Sequence, residues 1–228
     1  LRVSVIIPTL NEEIALPRLL AALRLMNDPV EIVVADGGSS DRTADISTSA
    51  DHWASTAKGR GLQQCAGAAM ATGEVLWFLH ADSIPNANAV AAINRALSNP
   101  ATLGGNFTLR FDGHGPAART LSRIYPLLRP LGLCYGDSGI FVRREIYEAI
   151  GGFRPLPLFE DVDLVRRLRR AGRFERLSCV INTSCRRFEH RNFLGMFAQW
   201  TVLQILYWLG VSPDWLARCY APIREHSK

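Results

Sequence analysis

The sequence predicts an α/β protein of three layers, with helices on both faces of a mostly parallel central sheet. Two observations predict it. Apolar runs of strand length, Val3–Ile7, Glu31–Ala35 and Val75–Leu79, alternate with segments of helical spacing. Strands apolar on both sides belong to a parallel sheet that is covered twice. In addition, Asn11, Asp36 and Asp82 each stand just past the end of one of those runs. The carboxyl ends of parallel strands are where such sheets hold ligands.

Val3–Ile7 is β-branched and closes at Pro8. Leu16, Leu19, Leu20 and Leu23 recur at helical spacing, and Pro17 suits a first turn. Glu31–Ala35 ends at Asp36, and Gly37-Gly38-Ser39-Ser40-Asp41 reads as a turn and helix start. Gly61–Ala71 is small-residue-rich and helical, with Gly73 as its stop. Val75–Leu79 runs into His80-Ala81-Asp82, and Val90, Ile93 and Leu97 mark the next helix.

Beyond residue 100, Phe107, Leu109 and Phe111 alternate with Asn106, Thr108 and Arg110, a strand with one polar face. Pro116–Leu128 reads as a helix and Gly139–Val142 as a short strand. Gly151–Pro155 is a loop, Glu160–Ala171 a helix with Gly172 at its C′ position, and Phe174–Ile181 a strand. From Phe193 through Pro213 no residue is charged. A helix over Phe193–Leu209 is about 25 Å long, short of a bilayer core of roughly 30 Å. Three readings of it stay open: a helix buried in the fold or in a homodimer interface, an interfacial membrane helix, or a span.

The 228 residues are 48% hydrophobic and 21% charged, which fits a single folded domain and excludes wholesale disorder. A net charge of +5 and a pI near 9.2 suit an anionic ligand or an acidic membrane surface and do not argue for nucleic acid. Arg166, Arg167, Arg169, Arg170 and Arg173 read as a solvated helix face. Five cysteines, an odd number without C-x-x-C spacing, fit a reduced compartment. Leu1-Arg2-Val3 runs straight into a strand, so a signal peptide is not expected. The expected location is the cytoplasm, with peripheral contact at the inner face of the membrane through 193–213 as the variant reading.

Asp82, with His80 two residues before it, suits Mg²⁺ or Mn²⁺, whose preferred ligands are oxygens. The plainer alternative is a turn-capping aspartate beside a packed ring. Asp36 before Gly37-Gly38 is either a turn aspartate or an acceptor for a nucleobase or ribose. Glu160-Asp161 opens a helix, where the dipole favours acids in any case. The apolar loop Pro155–Phe159 would present Asp161 in a cleft as a general base. Walker A, G-x-G-x-x-G, G-x-S-x-G and zinc-ligand patterns are missing from the sequence. The acidic loop Pro8–Glu13 argues against a nucleotidyltransferase, which carries a glycine-rich basic loop there.

Ser4–Glu12, Val33–Asp41, Gly73–Asp82 and Gly151-Gly152-Phe153 through Leu164 together resemble glycosyltransferase family 2 over about residues 3–172. The resemblance implies a GT-A, Rossmann-like three-layer α/β/α sandwich with a mostly parallel sheet. It also implies a metal-dependent, inverting transfer from a nucleoside-diphosphate sugar, with UDP the expected nucleotide, to an acceptor hydroxyl. Residues 1–100 would form the nucleotide-binding half, 101–190 the acceptor-side half, and 191–228 an apolar C-terminal helical segment of one domain.

The same resemblance implies site roles. Pro8, Leu10, Glu12, Asp36, Arg60 and Ala81 would hold the nucleotide. Asp82 would bind the metal as the last acid of a D-x-D motif whose first position is His80 here. His190 is a further candidate ligand, or a surface histidine beside Glu189. Asp161 would be the base and Glu160 would stand on the acceptor side; Asp137 would orient the acceptor or simply serve a turn, and Arg186 or Arg187, whose guanidinium forks suit phosphate oxygens, would assist the diphosphate. A catalytically silent sugar-nucleotide binding module and a membrane-associated transferase with a lipid acceptor are the other readings. Phe78–Asp82, Gly136–Arg144, Leu158–Leu164, Thr183–Glu189 and Leu209–Pro213 resemble a bacterial subgroup associated with arsenosugar biosynthesis.

Overall fold

The computed structural model describes residues 1–112, 138–184 and 193–220. Its elements run β1 (Val3–Thr9), α1 (Leu16–Arg24), β2 (Glu31–Asp36), α2 (Thr43–Ser47), β3 (His52–Ser55), α3 (Arg60–Met70), β4 (Val75–Phe78), β5 (Ser83–Pro85) and α4 (Ala89–Leu97). They continue with β6 (Thr102–Asp112), β7 (Ile140–Arg143), α5 (Arg144–Ala149), α6 (Glu160–Ala171), β8 (Arg173–Ser184), α7 (Phe193–Trp208) and α8 (Pro213–Cys219).

The strands form one sheet in the order β3-β2-β1-β4-β7-β6-β8-β5. The first four are mutually parallel, and β6 and β8 run the same way. Among the described residues only β7 and β5 are reversed. This is the mostly parallel α/β architecture that the apolar runs predict.

Alternation along the strands makes two core layers. Val3, Val5 and Ile7 of β1, Ile32 and Val34 of β2, and Val75 and Trp77 of β4 pack with α1 and α4. The intervening Ile6, Val33, Leu76 and Phe78 pack on the other side with α3, α5 and α6. A third cluster joins Leu158, Phe159 and Val162 to Leu203 of α7 and Leu216 of α8.

Some expectations change. β3, β5 and α5 are too short to leave a clear period in the sequence. On the polar face of β6, Asn106 is fully buried and donates to Ser138 Oγ at 3.1 Å. Gly172 ends α6 with φ 170°, extended rather than left-handed. It is needed for close approach, since a Cβ there would stand 2.7 Å from the Leu103 side chain. Arg167 does not belong to a solvated face: it binds Asp163 at 2.7 Å and donates to the Ile150 and Gly152 carbonyls. The predicted helix Pro116–Leu128 lies outside the described residues.

Candidate active site

The parallel register places Pro8, Asp36 and the His80-Ala81-Asp82 turn at one end of the sheet. Thr9 pairs with Asp36 and Pro8 with Ala35, while Ile6 pairs with Phe78 two residues before His80. The ends of β2 and β4, carrying Asp36 and the His80-Ala81-Asp82 turn, flank β1 at a separation of about 10 Å across the sheet. His80 and Ala81 are buried. Asp82 is half-buried, and its side chain makes no hydrogen bond or ion pair among the described residues. A hydrogen bond from Ser83 N to His80 O closes the turn.

Asp36 is 2% exposed, and its carboxylate is engaged by its own turn. Oδ1 accepts from Thr9 Oγ1 and Ser39 Oγ, and Oδ2 from the Gly38 and Ser39 N–H groups. That takes up the roughly four acceptor positions a carboxylate offers. Across from it, the loop after β1 is laced to the loop before α2. Asn11 N–H donates to Ser39 Oγ, Glu12 N–H to Thr43 Oγ1 and Glu13 N–H to Asp41. Ser40 and Arg42 N–H groups return bonds to the Asn11 and Glu13 side chains. Leu10 and Glu12 therefore sit on a rim that both strand ends build together.

Sequence reasoning passed over Gln63. Buried on α3, it donates to Thr9 O at 2.6 Å and Ala35 O at 3.1 Å, tying the ends of β1 and β2. A Cβ at Gly37 would stand 2.9 Å from its Nε2, so the glycine makes room for it. The signal was a polar Gln63-Gln64 pair inside an otherwise small-residue helix.

Helix α6 is tied to the start of α3. Arg60 Nε lies 2.9 Å from Glu160 Oε1, and Glu160 is 3% exposed. The close approach requires Gly61, where a Cβ would meet Arg154 O at 2.6 Å. Asp161 is buried at the start of α6, and its Oδ1 accepts from Val162 N–H at 2.7 Å. Phe159, just before, is left-handed at φ 64°, an uncommon conformation for a bulky residue. Its ring is stacked on Tyr207 at 5.1 Å and meets Trp200 edge-on. Asp163 is held by Arg154 and Arg167, which pins α6 to the Gly151-Gly152 loop.

The family model described as glycosyl transferase family 2 matches residues 4–151. The chain belongs to that family. This family 2 chain is 52% identical over 52 residues to an undecaprenyl-phosphate 4-deoxy-4-formamido-L-arabinose transferase of Pectobacterium carotovorum, covering 21% of the chain and 16% of the relative. It is 36% identical over 101 residues to a 4,4'-diaponeurosporenoate glycosyltransferase of Staphylococcus haemolyticus, covering 40% of the chain and 27% of the relative. The chain thus matches only a small part of the length of these curated relatives.

Its fold is similar to S. aureus TarS 1-349 in complex with UDP-GlcNAc, with TM-score 0.68 and 19% identity over 83% of this chain and 60% of that one. It is likewise similar to a Pyrobaculum calidifontis mannosyltransferase in complex with GDP-Man and Mn²⁺, with TM-score 0.67 and 21% identity over 83% and 58%. A third is the glucosyl-3-phosphoglycerate synthase of Mycobacterium tuberculosis with Mn²⁺, UDP and phosphoglyceric acid, with TM-score 0.63 and 22% identity over 92% and 79%. These likenesses show the GT-A fold of the chain.

Asp137, His190, Arg186 and Arg187 lie outside the described residues. Among the described residues no group of three or more His, Cys, Asp or Glu side chains is placed to hold a metal. The described residues also line a groove of about 1020 Å³ between α4 and β8, with Arg95, Arg110 and Arg176 on its walls. It contains none of the predicted site residues.

Proposed function

We propose that this glycosyltransferase moves a sugar from a nucleoside-diphosphate sugar, with UDP the nucleotide, to an acceptor hydroxyl with inversion at the anomeric carbon. What supports the reading is the pair of laced loops after β1 and β2 at the sheet end where Asp82 stands, together with the Arg60–Glu160 pair that ties the start of α3 to the start of α6 beside Asp161.

The nucleotide lies along the rim of Pro8, Leu10 and Glu12, with Asp36 shaping the turn beneath it. Arg60, oriented by Glu160, faces the nucleotide side. Asp82 is a carboxylate without a side-chain partner among the described residues, the donor type that Mg²⁺ and Mn²⁺ prefer, so it fits a divalent cation. Asp82 and His80 would hold it, with His190 the further candidate. Bound there, it supplies positive charge for the diphosphate. Asp161 takes the proton of the acceptor hydroxyl. That oxygen bonds to the anomeric carbon from the face opposite the diphosphate, which leaves with the bonding electron pair. Asp137 and Glu160 stand on the acceptor side. Motifs such as Phe78–Asp82 and Leu158–Leu164 support placing the chain in the bacterial subgroup associated with arsenosugar biosynthesis. A lipid acceptor is the alternative to a small one, favoured by the match to an undecaprenyl-phosphate transferase.

Thermal melting with UDP, with and without Mn²⁺, tests the donor site. A nucleotide at about 100 times its dissociation constant stabilises by about 2.7 kcal/mol. The shift is expected to need Mn²⁺ and to disappear in Asp82→Asn. A flat response to every nucleoside diphosphate would remove the reading.

A further inference from the structure

The groove along β8 lies apart from the predicted site residues and is charged with one sign. Arg95 of α4, Arg110 of β6, and Arg173 and Arg176 of β8 line it, and among the described residues Glu175 is the one acid on its walls. Arg173 and Glu175 pair with each other at 2.9 Å. Arg95, Arg110 and Arg176 make no hydrogen bond or ion pair among the described residues. Three guanidinium groups from three different elements thus share one concavity of about 1020 Å³. A cleft lined by one sign of charge concentrates its field on an incoming counter-charge. Charges that only guard a sheet edge would sit on the edge strand itself, whereas Arg95 and Arg110 come from outside β8.

We propose that this groove binds an extended anion built of successive phosphate groups. Its reach follows from the register. Asn106 pairs with Arg176 and Arg110 with Asn182, so Arg176 and Arg110 stand about 13 Å apart along the strands. One phosphate cannot bridge that span. A chain of them sets oxygens opposite each guanidinium fork. Ser178 and Asn182 line the same groove and add neutral hydrogen-bonding groups.

The walls also select among polyanions. Among the described residues no Phe, Tyr or Trp lines the groove, so the bases of a nucleic acid find no stacking platform. An acidic peptide would add as a strand along the β8 edge, which β5 covers only at Ile181–Thr183. The register of β8 against β6 shifts between Asn106 and Thr108, and such a bulge bends the strand away from regular pairing. A phosphate chain needs neither a stacking ring nor a regular edge.

Isothermal titration with long-chain inorganic polyphosphate tests the groove, with orthophosphate, poly-glutamate and oligothymidylate as comparisons. The wild-type chain is expected to bind polyphosphate more tightly than any of the three. Arg95→Gln/Arg110→Gln/Arg176→Gln is expected to weaken that binding at least about tenfold, the scale of one lost hydrogen bond to a charged group. Arg18→Gln/Arg166→Gln/Arg170→Gln removes the same charge from exposed positions outside the groove. It is expected to hold the affinity within about twofold at physiological ionic strength, where distant surface charges are screened. All six arginines are exposed, so both variants should melt with the wild type. An equal loss in the two triple variants would reduce the effect to net charge and overturn the proposal. So would a comparison ligand that binds as tightly as polyphosphate, or wild-type protein that binds no polyphosphate. The UDP-induced melting shift is expected to persist in the groove variant, so failure of that shift in the wild type sinks only the transferase reading.

Discussion

The Arg60 guanidinium, at the start of α3, sits 2.9 Å from the buried Glu160 carboxylate at the start of α6, joining two residues 100 positions apart. Removing the arginine leaves a buried acid without that partner. Arg60→Ala is expected to destabilise by about 1–3 kcal/mol, reduced by the partial exposure of the arginine. Adding Glu160→Gln should recover part of the loss. A double-mutant cycle in urea measures the coupling, and additive effects would show that the pair is not energetically linked.

Asp161→Asn keeps the shape of the α6 start and removes the proton acceptor. Transfer is expected to fall at least about 100-fold, the lower end of what general base catalysis contributes, with the UDP-induced melting shift unchanged. Single-turnover release of UDP in the presence of acceptor reads the first quantity. Undiminished turnover would remove Asp161 from the role.

Phe159 is held left-handed between Trp200 and Tyr207. Truncating a buried phenylalanine costs about 3–5 kcal/mol, and here it also frees α7 from the segment before Asp161. Phe159→Ala should lower the urea midpoint and speed proteolytic cleavage near α7. Cleavage unchanged from wild type would mean that the stacking does not anchor the helix.

Acid should weaken the fold through particular carboxyls. Burial opposes ionisation of Asp51, but bonds from Arg24 and the Ile32 N–H outweigh it and hold the group below its ordinary value. Burial likewise opposes Glu31, and bonds from Ser4, Thr72 and Gly73 hold it low. In the unfolded chain these groups take up protons first, near pH 4. Their stabilisation is therefore complete above that value and disappears as pH falls through the lower folded pKa values. The urea midpoint of Asp51→Asn should trail wild type at pH 7 and approach it at pH 3. A constant gap would exclude the effect.

Much of the framework was legible in the sequence. The runs Val3–Ile7 and Val75–Leu79 are apolar on both faces because both faces are covered, and burial of that kind is written residue by residue. The turns after β2 and β4 were legible for the same local reason, since Asp36 bonds to the N–H groups two and three positions on. The buried Gln63 was not, because its partners Thr9 and Ala35 are far away in the chain. Nor was the structural part played by Arg167, whose composition matches that of any solvated arginine.

By itself, then, the sequence determined the strands, the helix faces and the acids at the strand ends, because alternation and helical period record which side of each element meets the core. Only the tertiary structure decided that Arg60 meets Glu160 and that α7 buries one side on Phe159 while leaving Val202, Ile205 and Trp208 bare. Those contacts depend on sheet order and on how helices cross, and neither is encoded in the periodicity of any single segment.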